Sequence, residues 1–498
     1  MLARRAIYNT LGFVADRLTQ RGQQRTATRT PGRTTRTARK SYSAGSVSRL
    51  TSDWNISDKS ADEAIHPNLT RMRGRSRDLA RNNDYAKRYF NLLKTNVIGH
   101  QGIRLQVRAK NKKGKFDKKA NRLIEKAWKE WGKVGSCTTC GLFSWLDVQN
   151  LIIEAVGRDG EILVKMVGGW TGNKFGFAIQ LIEAENLDAD KNANLPGNIS
   201  IRMGVQRDSY KRVTHYWIKQ ADGTSKPEPA ADILHIYRPD RAGQSRGVPE
   251  TAAPATRLKQ IDAHEEAHVV ASRIGASKMG FFTSKNGAEY GGEDDDETED
   301  DELIMEAEPG TFEQLPKDVE FQSWDPQYPV ATFADFESAV LRGIASGLNV
   351  SYVTLANDLK GVSYSSIRQG ELSDRDFWRV LQTWMIEHVC QLIFEEWIKW
   401  ALLHNAVDLP YSGIEQYKAT AWRPRGWAWI DPLKESKASE NDSKNQFKAI
   451  QEIAAERGYD FEEILEDTRR AKELAKEYGV VIPSLTTEEL KPANQPRK

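Results

Sequence analysis

The sequence predicts an α+β protein with long helices and an antiparallel sheet. Apolar residues recur at spacings of three and four over residues 76–98, 116–132, 144–157, 249–276, 332–346 and 365–404, the period of a helix with one buried face. Between the third and fourth of these, residues 161–237 hold five short runs rich in Ile, Val and aromatics, separated by Gly, Asn and Asp. That is the pattern of hairpin-connected strands. The composition agrees: 39% hydrophobic and 28% charged residues, with 14 Trp, 15 Tyr and 16 Phe, suit a folded globular chain and exclude wholesale disorder. No run of about 18 uncharged apolar residues exists. The nearest, 384–407, is broken by Glu387, Glu395, Glu396 and Lys399. Three cysteines, Cys137, Cys140 and Cys390, are too few for a disulfide scaffold and fit a reducing compartment.

Taken in order, residues 1–40 carry ten Lys or Arg and one acid, Asp16, in a chain of net charge +3. The remaining residues are therefore mildly acidic on average. Such an arm suits a polyanion or an acidic protein surface. Its composition is equally that of a transit peptide or a solvated extension. Residues 22–50 read as a flexible linker, and order is expected to begin near Asp53-Trp54. The helix over 76–98 is expected to close at Gly99, and that over 116–132 at Gly132. The third starts at Ser144 with Asp147 as a capping box and is expected to end at Gly157. The strands are expected at Glu161–Val167, Phe175–Ile182, Ile199–Val205, Val213–Ile218 and Ile233–Tyr237, forming one sheet behind a helical layer. Residues 277–330 are irregular, with possible strands at Phe281-Phe282 and Phe321–Trp324. Within them, Glu293–Glu302 is acidic except for Thr298, a self-repelling solvated run. A polar loop comes after the helix over 332–346. The helix over 365–404 is about 60 Å long and loaded with apolar residues, as a strut in a large assembly would be. Asp431-Pro432 opens a helix ending near Gly458, Asp460 and Glu463 cap another that Gly479 closes, and 483–498 read as a loose tail.

Three short motifs have chemical readings. His264-Glu265-Glu266-Ala267-His268 matches H-E-x-x-H. It would put two imidazoles on one helix face for zinc, Glu265 as general base and Glu289 as a third ligand. Its charged surroundings, Lys259, Asp262 and Glu266, favour two surface histidines instead. Gly243-Gln244-Ser245-Arg246-Gly247 matches G-x-S-x-G, but five residues separate it from the preceding strand, whereas a nucleophile elbow needs strand, turn and helix in immediate succession. Cys137-Thr138-Thr139-Cys140 has no second pair to complete a zinc site. No G-x-x-x-x-G-K-[ST] occurs, so the chain is not expected to be an ATP-driven motor itself.

Four segments, in this order, resemble the lambda-like family of tailed-phage portal proteins. They are Arg75–Ala86 running on to Asn96–Ile103; Arg241–Pro249; Gly347–Tyr352 with Asn357–Leu359 and Tyr364–Arg368; and Arg425–Lys434. The resemblance implies a multi-domain portal fold that assembles as a ring, typically a dodecamer. The domain map is then a basic arm (1–52), wing (53–249), stem helix (250–276), clip (277–331), second stem helix (332–347), tunnel loop (348–364), long helix and wing (365–430), and crown with tail (431–498). It implies a conduit for packaging and ejecting double-stranded DNA at one capsid vertex, in the virion, after assembly in the host cytoplasm. The implied partners are double-stranded DNA in the channel, the terminase large subunit, major capsid and scaffolding proteins and head–tail adaptor proteins, with no membrane. No cofactor, metal or catalytic residue is expected. Asn349, Asn357, Asp358, Lys360 and Ser363 are the expected DNA-facing residues of the tunnel loop. The competing readings are a zinc metalloprotease using His264, Glu265 and His268, and a DNA-binding packaging accessory acting through the arm.

Overall fold

Caps and breaks set the first helices of the structure, a computed structural model that describes residues 58–111, 113–276, 280–284, 319–323, 333–360, 363–427, 432–457, 459 and 461–479. The basic arm, most of the expected clip with its acidic run, and the tail lie outside the described residues. Helix α1 (Ala61–Ile65) opens on a capping box between Ser60 and Glu63. Helices α2 (Leu69–Asn82) and α3 (Asp84–Leu93) come next. The spacing predicts one helix here; the structure breaks it at Asn83, whose backbone is extended and whose side chain accepts from the Ala86 amide. Asn competes for backbone groups in this way and favours a cap over a helix interior. A π-helical turn over 94–98 ends at Gly99, the expected stop, with φ +73°.

Strand β1 (Arg104–Val107) precedes α4 (Lys118–Trp131), which Asp117 caps and Gly132 closes as expected. Helix α5 (Trp145–Asp159) begins with the expected Ser144–Asp147 box. It runs past the predicted stop at Gly157 to Gly160, at φ +86°. Gly157 is instead where α5 meets α3: a Cβ there would stand 2.5 Å from Leu93 Cδ1.

The predicted single sheet is two. Strands β2 (Glu161–Gly168), β3 (Phe177–Ile182), β4 (Ala193–Leu195), β5 (Ile199–Arg202), β6 (Val205–Arg207), β7 (Val213–Lys219), β8 (Ser225–Pro229) and β9 (Ile233–Tyr237) pair antiparallel throughout. The sheet orders are β3-β2-β9 and β4-β5-β6-β7-β8. The predicted Ile199–Val205 run is split by a turn at Met203-Gly204, both at positive φ.

Helix α6 (Ala255–Ala276) leads to β10 (Gly280–Ser284), which pairs antiparallel with β11 (Val319–Ser323) before α7 (Phe333–Gly347) returns. The two expected strands are thus present and paired, Phe282 opposite Phe321. The expected polar loop contains a short helix, α8 (Tyr352–Ala356). Then α9 (Tyr364–Met385), a π-helical turn over 386–390 and α10 (Gln391–Leu403) form one helical run. Its apolar load serves this chain's own core. Trp378, Leu381, Met385, Val389, Ile393, Phe394, Trp397, Ile398 and Ala401 are all buried. Rings of Trp128, Trp131, Trp145, Phe394, Trp397 and Trp422 meet at centroid distances of 4.7–6.2 Å. Helix α11 (Ile414–Tyr417) precedes β12 (Thr420–Arg423), which returns to pair with β1 across more than 300 residues. The predicted 432–458 helix is two, α12 (Pro432–Lys444) and α13 (Ile450–Glu456), parted at Gln446 with φ +60°. Helix α14 (Phe461–Glu477) ends before Gly479, as expected. Asp431 and Asp460, the expected caps, lie outside the described residues.

Candidate functional site

The segment with the hydrolase-like motif is built around a buried charge. Glu161 begins β2 with its side chain fully buried. Its Oε1 accepts from Arg73 (2.8 Å) and from Arg246 Nε (2.7 Å). Its Oε2 lies 2.8 Å from His235 Nε2 and accepts from the Gly247 amide at 2.9 Å. Arg246 is itself fully buried and donates further to the Ala184, Leu187 and Met203 carbonyls. Although burial alone would raise it, the guanidinium of Arg246 and the imidazole of His235 hold the Glu161 carboxyl far below its usual range. Burial, reinforced by Arg246 and Arg207, lowers the His235 imidazole against the pull of Glu161. Ser245 is tied down as well: its hydroxyl donates to Asp62 at 2.6 Å and its amide to the same carboxylate at 2.8 Å. A Cβ on Gly247 would stand 2.0 Å from the Gly160 carbonyl oxygen, so only glycine fits that crossing. The segment joins α1, α2 and both large sheets, and Ser245 is buried with both its hydroxyl and its amide held by Asp62, so its oxygen is closed to a substrate.

Helices α6 and α7 pack side by side. The His264 and His268 rings meet edge to face, centroids 4.3 Å apart; His264 stacks on Phe333 at 5.7 Å and His268 contacts the same ring at 4.2 Å. Phe336 lies 5.0 Å from His264. Glu265 turns to a different neighbour: the Tyr85 hydroxyl of α3 donates to Glu265 at 2.9 Å and to Glu337 of α7 at 3.2 Å. Burial, and the nearby Glu337, raise the Glu265 carboxyl, while Tyr85 opposes the rise. The histidines and Glu265 therefore form a packing joint between the helix pair and α3. Among the described residues no group of three or more His, Cys, Asp or Glu could hold a metal ion. Glu289, the proposed third ligand, lies outside them.

The loop after α7 is clamped rather than loose. Leu348, Val350 and Leu355 are buried. Asp374 of α9 accepts from the Ser351 amide (2.8 Å), the Ser351 hydroxyl (2.9 Å) and the Thr354 hydroxyl (2.6 Å). Asn349 and Asn357 are exposed and hold left-handed backbone, at φ +60° and +55°, which Asn tolerates better than most residues. Asp358 accepts from Tyr352 and from the Lys360 amide. Ser363 caps α9. Lys360 is exposed. Of the five expected residues, Asn349, Asn357 and Lys360 present side chains outward, while Asp358 and Ser363 hold the backbone. Sequence reasoning missed the supports: Asp374, Arg342 beneath the Tyr352 ring, and Arg88 of α3, which donates to the Thr354 carbonyl at 2.9 Å. A polar groove of about 720 Å³ lies between this loop and α9, lined by Asn349, Ser351, Ser366, Gln369 and Asp374.

The family model described as phage portal protein, lambda family, matches residues 47–382, a span that contains the buried-charge segment, the helix pair and the loop. The chain belongs to the lambda family of phage portal proteins. The probable portal protein of Halomonas phage phiHAP-1 is 33% identical over 466 residues, covering 89% of this chain and 89% of that one. Portal protein B of Escherichia phage lambda is 23% identical, over 82% of this chain and 85% of its own length. Among solved structures, a chain in the virion of a native gene transfer agent particle superposes with a TM-score of 0.43 at 10% identity, over 79% of this chain and 93% of that chain.

Portal function accounts for the chain, and the zinc-protease and packaging-accessory readings have no support from its relatives. The three cysteines are free thiols: Cys137 and Cys390 are buried and Cys140 is exposed. Burial pushes the Cys137 thiol up to about 12, while hydrogen bonds from Leu142 and Thr138 lower that of Cys140. Among the described residues no helix is long and apolar enough to cross a membrane.

Proposed function

We propose that the chain assembles into a closed ring, of about twelve copies as the family resemblance implies, and that double-stranded DNA passes along its axis at a capsid vertex in the virion. In this reading 53–249 and part of 365–430 form the wing, 250–276 and 332–347 the stem, 277–331 the clip and 431–498 the crown. The loop at 348–364 faces DNA through Asn349, Asn357 and Lys360. Terminase and later adaptor proteins dock at the clip; capsid and scaffolding proteins meet the wing. The observation that carries this reading is the excursion of α6 and α7, two packed helices bracketing the β10–β11 pair, inside the matched family span. The loop suits passage of a polymer. Two uncharged amides and one lysine offer sequence-blind contacts with little electrostatic grip, since each phosphate neutralised adds salt-dependent affinity. In this reading the chain acts as a conduit rather than an enzyme, which the burial of Ser245 against Asp62 and the packing of the two histidines on phenylalanine support.

Light scattering with negative-stain imaging of the same peak tests assembly: rings with a central hole are expected, and a persistent monomer under conditions that assemble other portals counts against it. Deleting Asn357–Gly361 should leave rings intact and impair packaging or DNA retention. Normal packaging by that variant removes the loop's assigned role.

A further inference from the structure

Average charge conceals a strongly basic face on the folded part of the chain. Residues 104–133 hold twelve Lys or Arg and three acids, while the entire chain carries only +3. Nearly all of this charge is on the surface: Arg108, Lys110, Lys113 and Lys115 in the β1–α4 connection are exposed, as are Lys118, Lys119, Arg122, Lys126 and Lys129 on α4 and Lys133 beyond it. The five cations on α4 are spaced so that 3.6 residues per turn gathers them into about 100° of arc, over about 17 Å of axis. The opposite face is Ala120, Ile124, Ala127, Trp128 and Trp131, all buried. Three acids offset twelve cations only in part: Asp117 is the helix cap, Glu125 accepts from the Val107 amide, and Glu130 pairs with Lys174 while also lying near Lys126 and Lys133. Arg122 reaches Glu466 of α14, while Lys118, Lys119, Lys126 and Lys129 make no ion pair with the described residues.

A solvated helix face ordinarily mixes both signs, and a single-sign stripe marks a polyanion partner. We propose that the exposed face of α4 and its preceding connection binds the phosphate backbone of double-stranded DNA outside the channel, without regard to sequence. Two features favour DNA over an acidic protein. Lysine dominates, and lysine is depleted in protein interfaces. Along α4 itself no large apolar side chain is exposed among the cations; exposed Phe116, under Lys110, and Val134 lie beyond its two ends. Over about 17 Å, duplex DNA presents roughly ten phosphates, enough for every cation of the stripe. The choice of DNA rests on the portal reading; the face itself does not depend on ring formation.

The test is the salt dependence of binding to closed circular duplex DNA, which cannot thread an assembled ring. The full chain is compared with its Lys118→Gln/Lys119→Gln/Lys126→Gln/Lys129→Gln variant. Gln keeps helix propensity close to that of Lys, and the basic arm is common to both proteins, so it cancels in the difference. Each lost phosphate contact flattens the slope of log K against log salt by about 0.9. The expected loss of slope is about 2–4, with affinity at about 0.1 M salt falling at least tenfold. The smaller Lys126→Gln/Lys129→Gln variant should lose about half as much. A control, Lys211→Gln/Lys219→Gln/Lys226→Gln/Lys437→Gln, removes as many exposed lysines elsewhere and should leave the slope unchanged. An unchanged slope in the α4 variant overturns the proposal, as does an equal loss in the control. If the slope holds while binding to polyglutamate is lost, the face belongs to an acidic protein instead. Light scattering of each variant reads assembly separately.

Discussion

Replacing Glu161 by Gln removes one negative charge from a site that encloses two guanidiniums. Oε1 lies 2.5–2.8 Å from Arg246 and Arg73 nitrogens, and Oε2 lies 2.8–2.9 Å from His235 and the Gly247 amide. All four neighbours donate. Whichever way the Gln amide turns, its NH2 group faces two of them, so an N–H meets N–H groups and a cation loses its counter-charge. Removing one partner of a buried pair costs about 3–5 kcal/mol, a large share of a typical total near 5–15 kcal/mol. With about 2.1 cal/mol/K of unfolding entropy per residue, a cooperative unit of about 200 residues converts 4 kcal/mol into a fall of about 10 °C in Tm. Chains of this length often unfold irreversibly, so wild type and variant should be scanned side by side at one rate by tryptophan emission. A fall below about 2 °C refutes the assignment of the hub as a stability determinant. The pH dependence has a definite sign. Glu161 is depressed in the fold, so its contribution is complete above its ordinary value of 4.5 and is lost as pH falls. His235 is also depressed, so as pH falls through about 6.5 the unfolded chain takes up its proton before the fold does. Both push the same way, so wild-type Tm should fall from pH 7.5 to 5 and fall further toward pH 4. The Glu161 portion of that slope should vanish in Glu161→Gln.

Three further outcomes are expected. Asp374→Ala removes the acceptor of three hydrogen bonds at the head of α8, a local loss of about 2–4 kcal/mol. Hydrogen exchange over 348–360 should accelerate at least tenfold, and unchanged protection would show that buried Leu348, Val350 and Leu355 alone hold the loop. One thiol per chain, Cys140, should react quickly with an aromatic disulfide reagent in the native state, because Cys137 and Cys390 are buried; a second fast thiol contradicts the packing. Tyr85→Phe deletes the donor shared by Glu265 and Glu337 and lets the Glu265 carboxyl rise further. A carboxyl raised in the fold weakens stability as pH climbs through its unfolded value, so this variant should lose more Tm at pH 8 than at pH 5, and an equal loss at both would refute the joint.

The features readable in advance are those whose cause is local. Ser144 and Asp147 stand three apart and form their box; Gly132 and Gly99 stop the helices before them; Ile162-Leu163-Val164 marks β2, and Ile233, Leu234 and Ile236 mark β9. Errors fall where a distant partner decides. Gly157 looks like a stop but is a crossing with Leu93. Strands β4 and β8 are short, polar and, in β8, carry Pro227 and Pro229, so nothing in their own residues marks a strand; β-propensity there is set by the neighbouring strand. The hub is illegible for the same reason: Glu161 and Arg246 are 85 residues apart, and only folding shows that one neutralises the other. The basic face of α4 is hidden differently, because net charge per chain averages it against acids elsewhere.

The two enzyme-like motifs separate from the proposed contact residues by one physical criterion, whether the polar atoms are already occupied. Catalysis needs a donor or acceptor with capacity left and space beside it for a substrate atom. Ser245 Oγ is bonded to a carboxylate in a buried crossing, Arg246 serves four acceptors, and His264 and His268 face phenylalanine rings. Their hydrogen bonds and ring contacts hold sheets and helices in register, so these residues are constrained by packing whatever the chain does. The proposed contact residues are of another kind: Asn349 and Lys360 on the loop and four lysines on α4 are exposed, as is Asn357, whose amide oxygen also accepts from Arg88 at 3.5 Å. Amides and point charges at such positions can grip or release a charged polymer at any step along its length, and cannot by themselves break a bond. Contacts of this kind suit the mechanical handling of a charged polymer proposed for the loop and for the face of α4.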